Sequence, residues 1–330
     1  MFTRRVFIGA STSAALLAAA GCRDRSSGKP AVRLFLNWLY TASFAGDVLA
    51  ARDFADGHGV RLNLQVGGEG RDPIRLVRDG DIGVASADEI LRAIGVGAPI
   101  SIIGVLSDSH PAAFAALKSS GIVEPKDFEG KRVGMLPFGA TGLIYDALVK
   151  KAGVDRSKIR EVVVTPDLRP FISGRVNDVQ PIFMYDEPVT LEKQGIAFNI
   201  VDPRKYGVHF KGQCYFATRN TVAKQPEVLS RALQALIQGW SKAADAPSQA
   251  VAALKELSPS LDAPSEVVRL QRALPFFVPT DRRQLLLSDP ASWSNMIETL
   301  VSTKTIPRAY RPEEFLSLGI VGQAHAAVLG

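Results

Sequence analysis

A chain of 330 residues, 46% apolar and 22% charged, is long enough for two domains with substantial cores and has an ordinary globular composition. The formal net charge of +6 is scattered rather than gathered into a basic run, which excludes nucleic-acid binding as its business. Two cysteines and four widely separated histidines give no disulfide framework and no sequence-local metal site, so neither a metal nor a cofactor is expected.

The first element is a leader. Thr3-Arg4-Arg5-Val6-Phe7-Ile8 sets paired arginines before an uncharged stretch, Val6 to Ala20, that closes on Ala19-Ala20-Gly21-Cys22. A positive start, a short apolar core and small residues before a cut site mark residues 1–21 as an export signal. Its apolar run of about 15 residues falls short of the roughly 20 that a membrane-spanning helix takes. The arginine pair resembles the twin-arginine signal read by the exporter of folded proteins. Cys22 stands where a bacterial lipoprotein carries its lipid, although Ala19 replaces the usual leucine. The alternative is an ordinary cleaved signal with an incidental cysteine. Either way the protein is expected outside the cytoplasm, in the periplasm or on the outer face of the cytoplasmic membrane, touching the membrane only through the lipid. Residues 22–30, polar and turn-rich, read as a tether.

From Val32 short apolar runs alternate with helical patterns. Strands are predicted at Val32–Trp38, Arg61–Val66, Ile82–Ala85, Ile100–Leu106 and Ala113–Lys118, with helices near Phe44–His58, Asp72–Arg78 and Asp88–Ile94. A second set follows, with strands at Arg132–Leu136, Ile159–Thr165, Gln180–Tyr185, Ala197–Val201 and Cys214–Arg219. Its helices are Gly142–Ala152, Leu168–Val176 and Glu187–Gln194. The end of the chain reads as helices broken by prolines: Gln225–Ala244, Pro247–Leu257, Pro264–Ala273, Ser292–Val301 and Pro312–Leu318.

This order predicts an α/β fold of two doubly wound lobes with a helical C-terminal tail and a ligand cleft between the lobes. Lobe 1 is expected to span 31–118 and 219–330, and lobe 2 to span 119–218. The crossings then fall near Lys118–Val123 and Gly212–Thr218. Such lobes close on a ligand at the carboxyl ends of their strands.

Several strand ends carry suitable side chains. Asn37, Trp38 and Tyr40 follow the first strand; the aromatics can stack on a flat ring, and the amide offers both donor and acceptor. Trp38 in the core and Tyr40 as a surface cap is the competing reading. Ser86 ends the third strand, where it either caps a helix or faces the ligand. Gly139 and Thr141 lie in Pro137-Phe138-Gly139-Ala140-Thr141-Gly142, small residues at a helix start that let amides approach a polar group. The lysine of a phosphate-binding P-loop is missing there, which excludes nucleotide hydrolysis. Tyr185 and Glu187, in Tyr185-Asp186-Glu187-Pro188, can bind an amine, an amidine-like ring nitrogen or a ring hydroxyl, or can simply favour a helix dipole. Tyr215 falls at the second predicted crossing and can reach the cleft. No nucleophile elbow, cysteine–histidine spacing or H-E-x-x-H motif announces catalysis.

An ordered series of short stretches carries a family resemblance. It includes Phe35-Leu36-Asn37-Trp38, Gly80-Asp81-Ile82-Gly83-Val84, Pro125 through Gly134, Gly174-Arg175-Val176-Asn177-Asp178, Tyr185-Asp186-Glu187-Pro188 and Gln225-Pro226-Glu227. Together they resemble the solute-binding proteins of nitrate/sulfonate/taurine-type ABC transporters, nearest the branch shared with thiamine-pyrimidine synthesis. The resemblance implies a type II periplasmic-binding fold that is not an enzyme. It is expected to work as a monomer that hands a small molecule to ABC permease subunits. Asn37, Trp38, Tyr185 and Glu187 match positions where that branch sandwiches and holds a pyrimidine. The branch also contains a pyrimidine synthase that uses a lysine-bound pyridoxal phosphate and a reacting histidine. Here Ala85 and Glu89 stand at those two places, and the synthase's cysteine-rich signature shrinks to Gln213-Cys214-Tyr215-Phe216-Ala217.

Overall fold

The computed structural model describes residues 28–329 apart from 69 and 138, so the leader, Cys22 and most of the tether lie outside the described residues. Among the described residues ten strands form: β1 (Ala31–Phe35), β2 (Arg61–Gln65), β3 (Ile82–Ser86), β4 (Ile100–Val105), β5 (Ala112–Leu117), β6 (Arg132–Met135), β7 (Arg160–Val163), β8 (Val179–Phe183), β9 (Phe198–Val201) and β10 (Gln213–Thr218). They build two five-stranded sheets ordered β2-β1-β3-β10-β4 and β7-β6-β8-β5-β9. Strand β3 in the middle of the first sheet and β4 at its end are buried at every position, as strands covered on both faces must be.

Helices fill the connections: α1 (Ala45–Leu49), α2 (Pro73–Leu76), α3 (Ala87–Gly95), α4 (Thr141–Lys151), α5 (Arg169–Ile172) and α6 (Glu187–Lys193). After β10 come α7 (Arg219–Lys224), α8 (Pro226–Asp245), α9 (Pro247–Leu257), α10 (Ala263–Phe277), α11 (Ser294–Ser302) and α12 (Gly319–Leu329). No helix among the described residues is long and apolar enough to cross a membrane.

The bilobal α/β architecture with a helical tail is as the sequence predicts, but the lobe boundaries move. β5 pairs antiparallel with β8 and β9, so it belongs to the second sheet, not to lobe 1. β10 pairs antiparallel with β3 and β4, so it belongs to the first sheet, not to lobe 2. The crossings are therefore residues 106–111 and 202–212, where Gly212 N donates to Ser107 O at 2.7 Å and His110 N to Phe210 O at 2.7 Å. Apolar runs mark β5 and β10 as buried strands but cannot say which sheet takes them.

The segment Pro312–Leu318 is also not a helix. A single tight turn, Pro312–Glu314, is followed by a bridge from Leu316 to Ile102 on the free edge of β4, held by Ile102 N to Phe315 O at 2.8 Å. The sheet edge offered better partners than a short proline-led helix. Helix α12, absent from the sequence reading, packs on α8.

The tail covers the first lobe through a close crossing of α1 and α8. A Cβ on Gly46 would fall 2.1 Å from the Trp240 ring, and one on Gly239 would fall 2.2 Å from the Gly46 carbonyl oxygen. Glycine is required at both positions for the helices to meet. Under this crossing, Asp47 accepts the Tyr215 hydroxyl at 2.6 Å, and Trp240 Nε1 donates to that hydroxyl at 2.9 Å. All three side chains are buried. Burial pushes the Asp47 carboxyl up to about 7, only partly offset by the Tyr215 hydrogen bond.

Candidate functional site

The parallel strands β1, β2 and β3 of one sheet and β6, β7 and β8 of the other end in the loops that carry the predicted site residues. In the first lobe the chain leaves β1 through Asn37, Trp38 and Tyr40, all half-buried. Trp38 and Tyr40 pack against the first-lobe core rather than inside it. The loop is pinned by Gly67 N donating to Trp38 O at 3.0 Å. A Cβ on Gly67 would lie 2.3 Å from the Leu36 carbonyl oxygen, so only glycine allows that approach.

Ser86 N-caps α3. Its hydroxyl lies 2.6 Å from Asp88 Oδ1 and 3.0 Å from Glu89 Oε2, and its amide donates to Glu89 Oε2 at 3.2 Å. The amide bond to Glu89 is the return half of a capping box. Burial, then the Glu89 charge, pushes the Asp88 carboxyl up to about 6.

In the second lobe, β6 runs into Gly139, exposed and with φ of 75°, and then into Thr141 at the start of α4. The Thr141 hydroxyl is buried and has no hydrogen-bond partner among the described residues. Tyr185 and Glu187 follow β8. Glu187 Oε2 accepts the Phe183 amide at 2.7 Å. Burial, then the neighbouring Asp186 charge, pushes the Glu187 carboxyl up to about 8. Both effects favour the protonated carboxyl, which can donate a hydrogen bond as well as accept one. It lines a cavity of about 220 Å³ at the ends of β7 and β8 together with Asp167, Arg169, Asp186 and Thr190.

The loops after β1 and β8 meet across the lobes. Tyr185 packs on the first-lobe core, edge-on to Phe276 and Phe277 with ring centroids 6.4 and 5.6 Å away, and the Ser43 hydroxyl neighbours its own. Ser43 shares a 2.8 Å hydrogen bond with Thr41, one residue beyond Tyr40.

Tyr215 is a correction. It is fully buried beneath α1 and α8 with its hydroxyl committed to Asp47 and Trp240, so it does not reach the cleft. Gln213, two residues earlier on the same face of β10, is the residue at the strand end. Its Nε2 donates to Asn37 Oδ1 at 3.4 Å, and its backbone pairs with Ser86. Alternation along β10 was the signal that could have found it. Arg269 was also missed; it joins Asp186 from the distant tail, and no local pattern announces it.

Ala85, where the resembling synthase holds its aldehyde cofactor on a lysine, is buried in β3 facing the core. Its methyl group cannot form an imine. Glu89, at the histidine position, is spent on the α3 cap. Among the described residues no cluster of histidine, cysteine or carboxylates is arranged to hold a metal. These positions do not fit a lysine-held pyridoxal phosphate.

A family model described as NMT1/THI5 like matches residues 42–250. The chain is 30% identical over 260 residues to a 4-amino-5-hydroxymethyl-2-methylpyrimidine phosphate synthase of Legionella pneumophila, covering 76% of this chain and 81% of that one. Among solved structures, the periplasmic sulfonate-binding protein SsuA from Methylobacillus flagellatus KT superposes with a TM-score of 0.68 at 14% identity, covering 91% of this chain and 94% of that chain. The periplasmic aliphatic sulphonate binding protein SsuA from Escherichia coli gives a TM-score of 0.66 at 17% identity, covering 87% and 92%. These structural likenesses establish the periplasmic-binding-protein fold.

Proposed function

The chain belongs to the NMT1/THI5-like family, and from that premise we propose that it is an extracytoplasmic solute-binding lipoprotein of an ABC importer. It captures a small flat heterocycle of the thiamine-precursor pyrimidine type by lobe closure and delivers it unaltered to a permease. The observation that carries this reading is that Tyr185, two residues before Glu187, packs on the first-lobe core with its hydroxyl against Ser43, in the segment that follows Trp38 and Tyr40. Aromatic faces on the lobe-1 side and an acid of near-neutral pKa on the lobe-2 side suit a ring with basic nitrogen atoms. Asn37 and Gln213 add amide donors and acceptors beside it. The pyrimidine chemistry in the name of the Legionella relative supports the same ligand class.

The relative's name also describes an enzyme, and the core-facing methyl of Ala85 is what speaks against the same activity here. Titration calorimetry with 4-amino-5-hydroxymethyl-2-methylpyrimidine tests the proposal. Binding is expected to weaken as the pH rises above 8, by up to about tenfold per unit, as Glu187 loses the proton it shares with the ring. Glu187→Gln is expected to bind more weakly and to lose that pH dependence. Absence of pyrimidine binding, together with an imine absorbance band on adding pyridoxal phosphate, would return the chain to the synthase reading. For the anchor, Cys22→Ser is expected to move the protein from the membrane to the soluble fraction; a variant that stays with membranes sinks that part.

A further inference from the structure

Helix α10 belongs to the first lobe by its core, since Leu270, Ala273 and Phe277 are buried there beside α8 and α9 residues. Its polar face meets α6, whose Leu191 is buried in the second-lobe core. The two helices are joined by charge. Lys193 pairs with Asp262, and Arg272 forks onto Glu192 with Nη1 to Oε1 at 3.0 Å and Nη2 to Oε2 at 2.6 Å. Arg269 donates through Nε to Asp186 at 2.6 Å and through Nη2 to Thr190 Oγ1 at 2.8 Å. Its remaining Nη1 donates to Glu266 Oε1 at 2.8 Å, and Glu266 Oε2 accepts the Ala42 amide at 2.7 Å. One guanidinium thus ties the turn before Glu187 in lobe 2 to the start of the helical segment after Tyr40 in lobe 1.

We propose that α10 is a latch that favours the closed arrangement of the lobes through its own contacts, with Arg269 as its hub and as a positioning residue for the cleft loops. The Arg269 side chain is 17% exposed, against 63% for Lys193 and 35% for Arg272, so its contacts are the least screened of the three. The network is also geometrically specific, because Arg269 places three donors on three different acceptors. Opening the cleft must break these contacts and the edge-on packing of Tyr185 on Phe276 and Phe277. Closure and ordering of the Ala42 segment are then one event. The latch depends on the bilobal fold and not on which solute the cleft takes.

Small-angle scattering of the ligand-free full chain tests it, with hydrogen exchange at the Ala42 amide as the local readout. Lys193→Gln combined with Arg272→Gln, both at partly exposed positions, is expected to lower the closed-to-open ratio about tenfold and to raise the radius of gyration. High salt should move the wild type the same way. A separate variant with the charges of the second pair exchanged (Glu192→Arg with Arg272→Glu) should keep the compact form. Arg269→Gln should speed Ala42 exchange about tenfold, and Arg269→Lys should recover part of the protection. Superimposable scattering for wild type and the double glutamine variant, or Ala42 exchange unmoved by Arg269→Gln, overturns the latch. These readouts need no ligand, so they fail or succeed apart from the proposed solute.

Discussion

Asp47→Asn is expected to raise the unfolding free energy at pH 8 by about 2–4 kcal/mol. The folded-state pKa of Asp47 is raised from 3.8 to about 7, and each unit of such a shift is worth about 1.4 kcal/mol. Between those values the folded protein keeps a proton that the unfolded chain has released. Stability from this group is therefore fully present below pH 4, is lost as the pH rises to 7, and stays lost above it. Asparagine keeps the acceptor for the Tyr215 hydroxyl and removes the charge. The gain falls below the full shift because Asp47 Oδ2 has no partner among the described residues, and an amide there would also be unsatisfied. Denaturant unfolding of both proteins from pH 4 to 9 measures it. The difference between them is the proper readout, because His110, whose pKa burial lowers to about 4, slopes stability the other way over part of that range. A variant as pH-sensitive as the wild type would mean that Asp47 is not the buried proton.

Trp38→Ala is expected to weaken pyrimidine binding by about 100-fold or more while leaving a cooperatively folded protein. A tryptophan that covers a flat ligand is the type of residue that dominates binding energy. Trp38 is half-buried against the first-lobe core, so its removal should cost less than the about 3–5 kcal/mol expected for a fully enclosed tryptophan such as Trp240. Calorimetric titration and thermal unfolding of the same preparation separate the two effects. Unchanged affinity, or a stability loss as large as that of Trp240→Ala, would assign Trp38 to the core.

The two roles of aromatic residues in this chain show how far local pattern reaches. Trp38 and Tyr215 both stand at or near strand ends, yet the first lines a loop and the second is sealed under a glycine-mediated helix crossing. What separates them is Gly46 on α1 and Gly239 on α8, nearly two hundred residues apart, which let Trp240 descend onto the Tyr215 hydroxyl. Gln213, reached by counting two residues along β10, was open to sequence reasoning; Arg269 was not, because α10 and α6 come together only once both lobes have formed.

The sequence by itself determined the alternation of strands and helices, the two α/β sets, the proline-opened tail helices and the strand-end placement of Asn37, Trp38, Tyr185 and Glu187, because apolar periodicity and helix-start chemistry are local. Only the tertiary structure decided that β5 and β10 exchange sheets, that Leu316 joins the edge of β4 and that Arg269 bridges the lobes. Those outcomes depend on which backbone edge and which charge stand free after the other elements have packed, a competition between distant partners that no single stretch of residues records.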